Sequence, residues 1–207
     1  MLIVADKSDM VNKALDELRR EMARRLSLAD PRLLAFTFVV DFPLLEWNGT
    51  TEHWETMHHP FTAPREEDVS FLEKEPAKVY GQHYDVVCNG CELGSGSIRV
   101  HNRQLQERIF RILGYSNEEA QDRFEGLLEA LEYGAPPHGG IAVGLDRLVM
   151  LFAGERSIRE VIAFPKNQNA VDIMLDSPSY VDKCQLDELN LKLKHEVLHR
   201  NEKEHGT

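Results

Sequence analysis

Residues 83–101, HYDVVCNGCELGSGSIRVH, decide the fold of this chain. Tyrosine, valine and isoleucine suit a pleated, half-buried surface, and the small residues between them mark turns, so the stretch is expected to form a β-ribbon. A two-residue turn at Ser95-Gly96 would pair Leu93 with Ile98 and Glu92 with Arg99. A carboxylate would then face a guanidinium on one side of the ribbon, either as a plain cross-strand ion pair worth about 0.2–1 kcal/mol or as part of a ligand site. Asp85 supplies a second carboxylate. Strict alternation sets residues 85 and 92 on opposite faces, and a bulge at Asn89-Gly90 would bring them onto one. Two carboxylates on one face suit Mg²⁺, which usually keeps several waters and takes its remaining ligands from substrate phosphates. Gly94-Ser95-Gly96 imitates the start of a dinucleotide-binding loop but lacks the third glycine and the crossover helix. Cys88-x-x-Cys91 lies inside the ribbon and reads as strand before it reads as a redox pair.

Working outward, Ser8 is placed to cap a helix running to about Leu28, with Val11, Ala14, Leu15, Leu18, Met22 and Leu26 on one face. Asp30-Pro31 breaks that pattern and sets a boundary near residue 30. Residues 35–42 (AFTFVVDF) form a β-prone run, and residues 44–47 and 51–57 flank Asn48-Gly49, a strong hairpin signal. Residues 60–78, with three prolines and many charges, read as a surface loop. Two helices are expected after the ribbon, over about 102–113 and 118–132, the second opened by a Ser116–Glu119 capping box. A turn at 134–138, a strand at 141–143 and a helix at 146–153 follow. Blocks of helix and antiparallel strand without βαβ alternation indicate an α+β fold.

The chain has 207 residues, 35 acidic and 24 basic side chains and a formal charge of −11. That length is enough to bury a sizeable core. The acidic balance argues against a general nucleic-acid coat and against a polybasic membrane anchor. No run approaches the roughly 20 apolar residues of a membrane span, and the N-terminus lacks a signal peptide's apolar stretch. Three irregularly spaced cysteines give no disulfide framework and no four-ligand zinc set, which points to a reducing, cytoplasmic setting.

A second constellation is GGIAVGLDRLVML (139–151), a strand passing into a helix through Gly144, where the missing side chain leaves the backbone open to a ligand. Arg147 falls in the first helical turn, where a cation opposes the helix dipole unless an anion is bound there. The alternative is an ion pair with Asp146 or Glu155. His58-His59, ahead of Pro60, are placed to read a carboxylate. His195-Glu196-Val197-Leu198-His199, with His205 beyond, matches the spacing of a zinc protease helix, but Glu202 replaces the turning glycine and no substrate wall follows.

Five stretches together carry a resemblance: VVDFPL (39–44), MHHPFTAP (57–64), YDVVCNGCELGSGSIRVHN (84–102), LEYGAPPHGGIAVGLDRLVML (131–151) and IREVIAFPKNQNA (158–170). In this order they resemble the bacterial-type aspartyl-tRNA synthetases, class II enzymes that activate aspartate with ATP and charge tRNA. The resemblance implies a class II antiparallel sheet flanked by helices. It implies that residues 1–30 are the end of the inserted GAD-type domain and 31–207 the C-terminal part of the catalytic domain, including motif 3 but neither motifs 1 and 2 nor the anticodon-binding barrel. It further implies ATP and Mg²⁺ at Glu92, with Asp85 as the second metal ligand, and ATP at Gly144, Leu145, Asp146 and Arg147. Glu92 and Arg147 would be the catalytic residues, and His58, His59 and Arg99 would hold L-aspartate. The partner RNA would be tRNA(Asp), alone or together with tRNA(Asn), and the family's assembly is a homodimer. Cys91 stands where that family usually has tyrosine, and Ser95 where it has glycine. The rival reading is a non-aminoacylating ATP- or amino-acid-binding module.

Overall fold

The structure is a computed structural model that describes residues 3–30 and 32–193. It divides into two compact units, one up to Leu148 and one from Val149 onward. The first opens with α1 (Ser8–Arg25), held by Asp16, Glu17 and Glu21 pairing with arginines three or four residues on. Ser8 is not the cap: Lys7 holds that position with no side-chain bond, and the helix stops at Leu26, before Ser27 turns to a φ of 51°. After it come β1 (Phe36–Val39), β2 (Leu45–Asn48), β3 (His53–Thr56), β4 (His83–Cys88), β5 (Cys91–Ile98), α2 (Arg103–Ile112), α3 (Asn117–Glu132), β6 (Gly139–Val143) and α4 (Leu145–Ala153). The second unit carries α5 (Lys183–Glu188). Among the described residues no helix is long and apolar enough to cross a membrane.

One four-stranded sheet, ordered β1-β4-β5-β6 and antiparallel throughout, dominates the first unit, and β2-β3 is a separate hairpin. The expected mixture of antiparallel sheet and helices is present, but the ribbon turns elsewhere than at Ser95-Gly96. Asn89 and Gly90 make the turn with φ of 51° and 79°, so Cys88 opposes Cys91 and Glu92 opposes Val87. Asn-Gly adopts two successive positive φ values at low cost, which is what the tightest hairpin turn needs. Gly94 and Gly96 stay extended for a different reason: a Cβ on either would collide with the carbonyl of Ala142 or Gly140 on β6. Asn48-Gly49 behaves in the opposite way. Its strands are joined by four residues, 49–52, and the Asn48 side chain accepts from the N–H groups of Thr50 and Thr51 at 2.9 and 3.2 Å.

The main core gathers Leu44, Leu45, Ala63, Leu72, Val79, Val100 and Ile109. Residues 60–78 are therefore not simply a surface loop, since Thr62, Ala63 and Leu72 are buried and two 3₁₀ turns, Glu66–Phe71 and Pro76–Lys78, fold the segment down. A second cluster of Phe110, Ala120 and Leu128 joins α2 to α3, with Phe110 stacked on Phe124 at 4.6 Å. The expected capping box opens α3: Ser116 Oγ accepts from Glu119 N at 3.1 Å, and the Glu119 carboxylate accepts from Ser116 N at 3.0 Å.

Candidate functional site

The placement of the site residues follows from how β4 and β5 pair. From His83↔Ser97 to Val86↔Gly94 the register is regular; it then shifts by one, so that Val87 meets Glu92 and Leu93 is left without a partner on β4. That is a bulge, one residue inserted on one strand. By alternation along the strands, it sets Asp85, Val87, Glu92, Ser95 and Ser97 at register positions of one face, while Tyr84, Val86, Gly94 and Gly96 occupy the other. The bulge lies at Leu93 rather than at Asn89-Gly90, and Asp85 and Glu92 share a face without it, because Val87, on the Asp85 face of β4, stands directly opposite Glu92 across the two-residue turn; what the bulge adds to that face is Ser95 and Ser97. The direct Glu92–Arg99 pairing does not form. Arg99 bridges to Thr62 beyond the end of β5, roughly 23 Å along an extended strand from Glu92.

Glu92 instead meets the second constellation. Arg147, in the first turn of α4, donates from Nη1 to the Glu92 backbone oxygen at 2.7 Å, and the same nitrogen lies 3.9 Å from the Glu92 carboxylate. Arg147 therefore pairs with Glu92 and not with its neighbour Asp146. Gly144 makes the approach possible: its N–H donates to the Leu93 oxygen at 2.7 Å, and a Cβ there would stand 3.3 Å from that oxygen. Leu145 and Asp146 are exposed beside it. Both members of the Arg147–Glu92 pair are about half exposed, so the ion pair itself stabilises the fold little and both groups remain available to a ligand.

At the other end of β5 stands a cluster of rings and one cation. Arg99 Nη1 lies against both ring nitrogens of His59, 2.8 Å from Nδ1; Ser97 Oγ lies 3.3 Å from Nε2, and Phe61 N donates to Nδ1 at 3.2 Å. Burial first, then the Arg99 and His58 charges, push the His59 pKa down to about 4, so at neutral pH it is an uncharged acceptor. His58 packs on His59 at 4.3 Å and stacks on His83 at 5.4 Å, and His83 in turn stacks on Phe42 at 4.8 Å. His83 is buried, its Nδ1 has no hydrogen-bond partner, and burial lowers its pKa as well. The sequence reading missed His83; its signal was its position two residues before Asp85 on an alternating strand. A cleft of about 350 Å³ opens beside Arg99, lined by Phe61, Gln106, His138 and Gly140 among others.

The described residues assemble no group of three or more His, Cys, Asp or Glu able to hold a metal ion. The His195–His199 segment and His205 lie outside the described residues. One face therefore offers two polar stations at opposite ends of β5, a carboxylate–guanidinium pair at one and a guanidinium with the neutral His59 ring at the other.

Comparison with known proteins gives the following. Residues 9–168 match the family model for tRNA synthetases class II (D, K and N). The aspartate–tRNA(Asp/Asn) ligase of Dehalococcoides mccartyi strain 195 is 52% identical over 196 residues, 95% of this chain and 33% of that protein. The ligase of the same name from Caldanaerobacter subterraneus subsp. tengcongensis is 54% identical over 93% of this chain and 33% of its own length. The chain spans about a third of the length of these curated relatives. Among solved structures, the aspartyl-tRNA synthetase of Entamoeba histolytica aligns with a TM-score of 0.50 and 23% identity over 73% of this chain and 26% of its own. The asparaginyl-tRNA synthetase of the same organism, in complex with asparaginyl-adenylate, aligns with a TM-score of 0.50 and 21% identity over 74% of this chain and 28% of its own.

Proposed function

The chain belongs to the class II tRNA synthetases (D, K and N), and from that premise we propose that it carries part of the catalytic domain of an aspartate–tRNA ligase. The observation that carries the choice of amino acid is Arg99. Its partly buried guanidinium touches a neutral histidine and, among the described residues, has no carboxylate partner, which suits an incoming side-chain carboxylate taken in bidentate fashion. His58 and His59 line that station. ATP takes the other end of the face, with Glu92, Gly144, Leu145, Asp146 and Arg147 around its phosphates, so that an aminoacyl-adenylate would lie along β5.

Mg²⁺ arrives with ATP as part of the substrate. Asp85 and Glu92, sharing a register face, fit an ion that takes one or two carboxylates and completes its shell with phosphates and water. The α-carboxylate of aspartate attacks the α-phosphate in line and pyrophosphate leaves. Arg147 offsets the charge that develops there, and no covalent enzyme intermediate is required. The same reading makes residues 1–30 the end of an inserted domain, tRNA(Asp) the acceptor with or without tRNA(Asn), a homodimer the assembly and the cytoplasm the setting.

The test is aspartate-dependent ATP–pyrophosphate exchange, together with calorimetric aspartate binding to Arg99→Ala. Exchange by the wild-type chain is expected. Loss of the charge-assisted bonds should weaken aspartate binding roughly 10- to 100-fold while ATP binding holds. ATP binding without exchange or aspartate binding by the wild-type chain would instead identify a non-aminoacylating module.

A further inference from the structure

Among the described residues, the C-x-x-C of the ribbon is a sequence motif that the proposed function does not absorb. Cys88 and Cys91 are free thiols and direct cross-strand partners, the last residue of β4 opposite the first of β5. Directly opposed residues of an antiparallel pair hold their Cα atoms about 4.5–5.5 Å apart and send their side chains to one face, inside the roughly 4.4–6.8 Å span a disulfide accepts. The turn between them is fixed in place. Asn89 Oδ1 accepts from Ala35 N and Asn89 Nδ2 donates to the Leu33 oxygen, both at 2.9 Å, which anchors the turn to the segment ahead of β1. The thiols also differ in access. Cys88 is fully buried, whereas Cys91 is partly exposed, its Sγ directed to the Glu92 oxygen at 3.8 Å.

We propose that Cys91 is a modification site for low-molecular-weight disulfides and that Cys88 is its resolving thiol. Cys91 loses its proton to solvent and its sulfur attacks the S–S bond of, for example, oxidised glutathione. A Cys91–glutathione disulfide forms and one glutathione thiol leaves. Cys88, deprotonated in turn, attacks the Cys91 sulfur; the Cys88–Cys91 bond forms and the second glutathione leaves. Two protein thiols are oxidised, one small disulfide is reduced to two thiols, and no other electron acceptor is needed. The exposed member of the pair takes the reagent, and the buried member is reached only from within the ladder.

The test incubates the whole chain with oxidised glutathione, quenches it and maps its peptides by mass spectrometry. Cys88 and Cys91 fall within one tryptic peptide, ending at Arg99, and away from Cys184. That peptide should become two hydrogens lighter without gaining glutathione, and dithiothreitol should reverse the change. Cys88→Ser should stop at the mixed disulfide, with one glutathione held on Cys91, and Cys91→Ala should leave Cys88 unmodified. Since a substitution at the buried Cys88 risks misfolding, the wild-type and Cys91→Ala results alone decide. A wild-type peptide that stays unmodified, one that accumulates glutathione on Cys91 without closing the cross-link, or modification confined to Cys184 would each overturn the proposal.

Discussion

Gly81→Ala isolates one contact on which the histidine cluster depends. Gly81 does not lie in the left-handed region, so alanine suits its backbone, and the cost is purely steric. The new Cβ would fall 2.5 Å from His83 Nδ1, 2.8 Å from Cε1 and 3.3 Å from Leu44 Cδ1. The ring has nowhere to retreat, because Phe42 stacks on it at 4.8 Å and His58 at 5.4 Å. Overpacking of this kind costs about 1–3 kcal/mol, or roughly 1 M in urea midpoint at an m-value near 2 kcal/mol/M. In a His83→Ala background the same methyl enters vacated space. The substitution should then stabilise by about 0.4–1 kcal/mol through the stiffer unfolded chain. The double-mutant cycle should therefore show a coupling of about 1.4–4 kcal/mol, as expected for residues in direct contact. Urea unfolding followed by the fluorescence of Trp54, which packs against the main core, measures all four corners. A Gly81→Ala penalty equal in both backgrounds would refute the assignment of the clash to the His83 ring.

Three further outcomes follow from the geometry. His59 titrates near 4 in the fold against 6.5 when unfolded, so the unfolded chain binds the extra proton; stability holds above pH 6.5 and falls as pH drops towards 4, a slope that urea midpoints at pH 7.5 and 5 should reveal and His59→Gln should reduce. Arg147→Ala should weaken ATP binding roughly 10- to 100-fold in titration calorimetry and leave aspartate affinity near wild type, since the two stations are separated by the length of β5. Ser116→Ala removes the α3 cap and should cost about 1 kcal/mol, seen as a melting temperature lower by roughly 2–4 °C in scanning calorimetry.

The sequence and the structure part company where two identical dipeptides do different work. Asn48-Gly49 and Asn89-Gly90 carry the same turn preference, yet only the second makes a two-residue turn. What separates them is non-local: Asn89 is bound to residues 33 and 35, and Asn48 uses its side chain to bridge a wider loop. Placing the turn at Ser95-Gly96 failed because Gly94 and Gly96 answer to β6, far downstream in the chain, whose Ala142 and Gly140 carbonyls leave no room for a Cβ. Helices with local signals, above all the Ser116–Glu119 box, were legible. The shared face of Asp85 and Glu92 was legible too, but it comes from the two-residue turn at Asn89-Gly90 and not from the bulge expected there. The same limit explains the site. His58, His59, Arg99 and Arg147 were visible as residue types, but the partners Arg147 takes on Glu92 and His58 takes on His83 depend on a register that no short window contains.

The unpaired Leu93 gives the ribbon one residue of slack. A deletion of Leu93 itself would iron out the bulge, with Gly94 staying opposite Val86, where β6 leaves no room for a Cβ, and both ends of the strand keeping their partners. An insertion has no such reserve, since a second residue would have to leave the ladder or Glu92 would turn to the face of Tyr84 and Val86. The strand is thus asymmetric in the errors it tolerates: it can survive becoming shorter by one residue and cannot survive becoming longer.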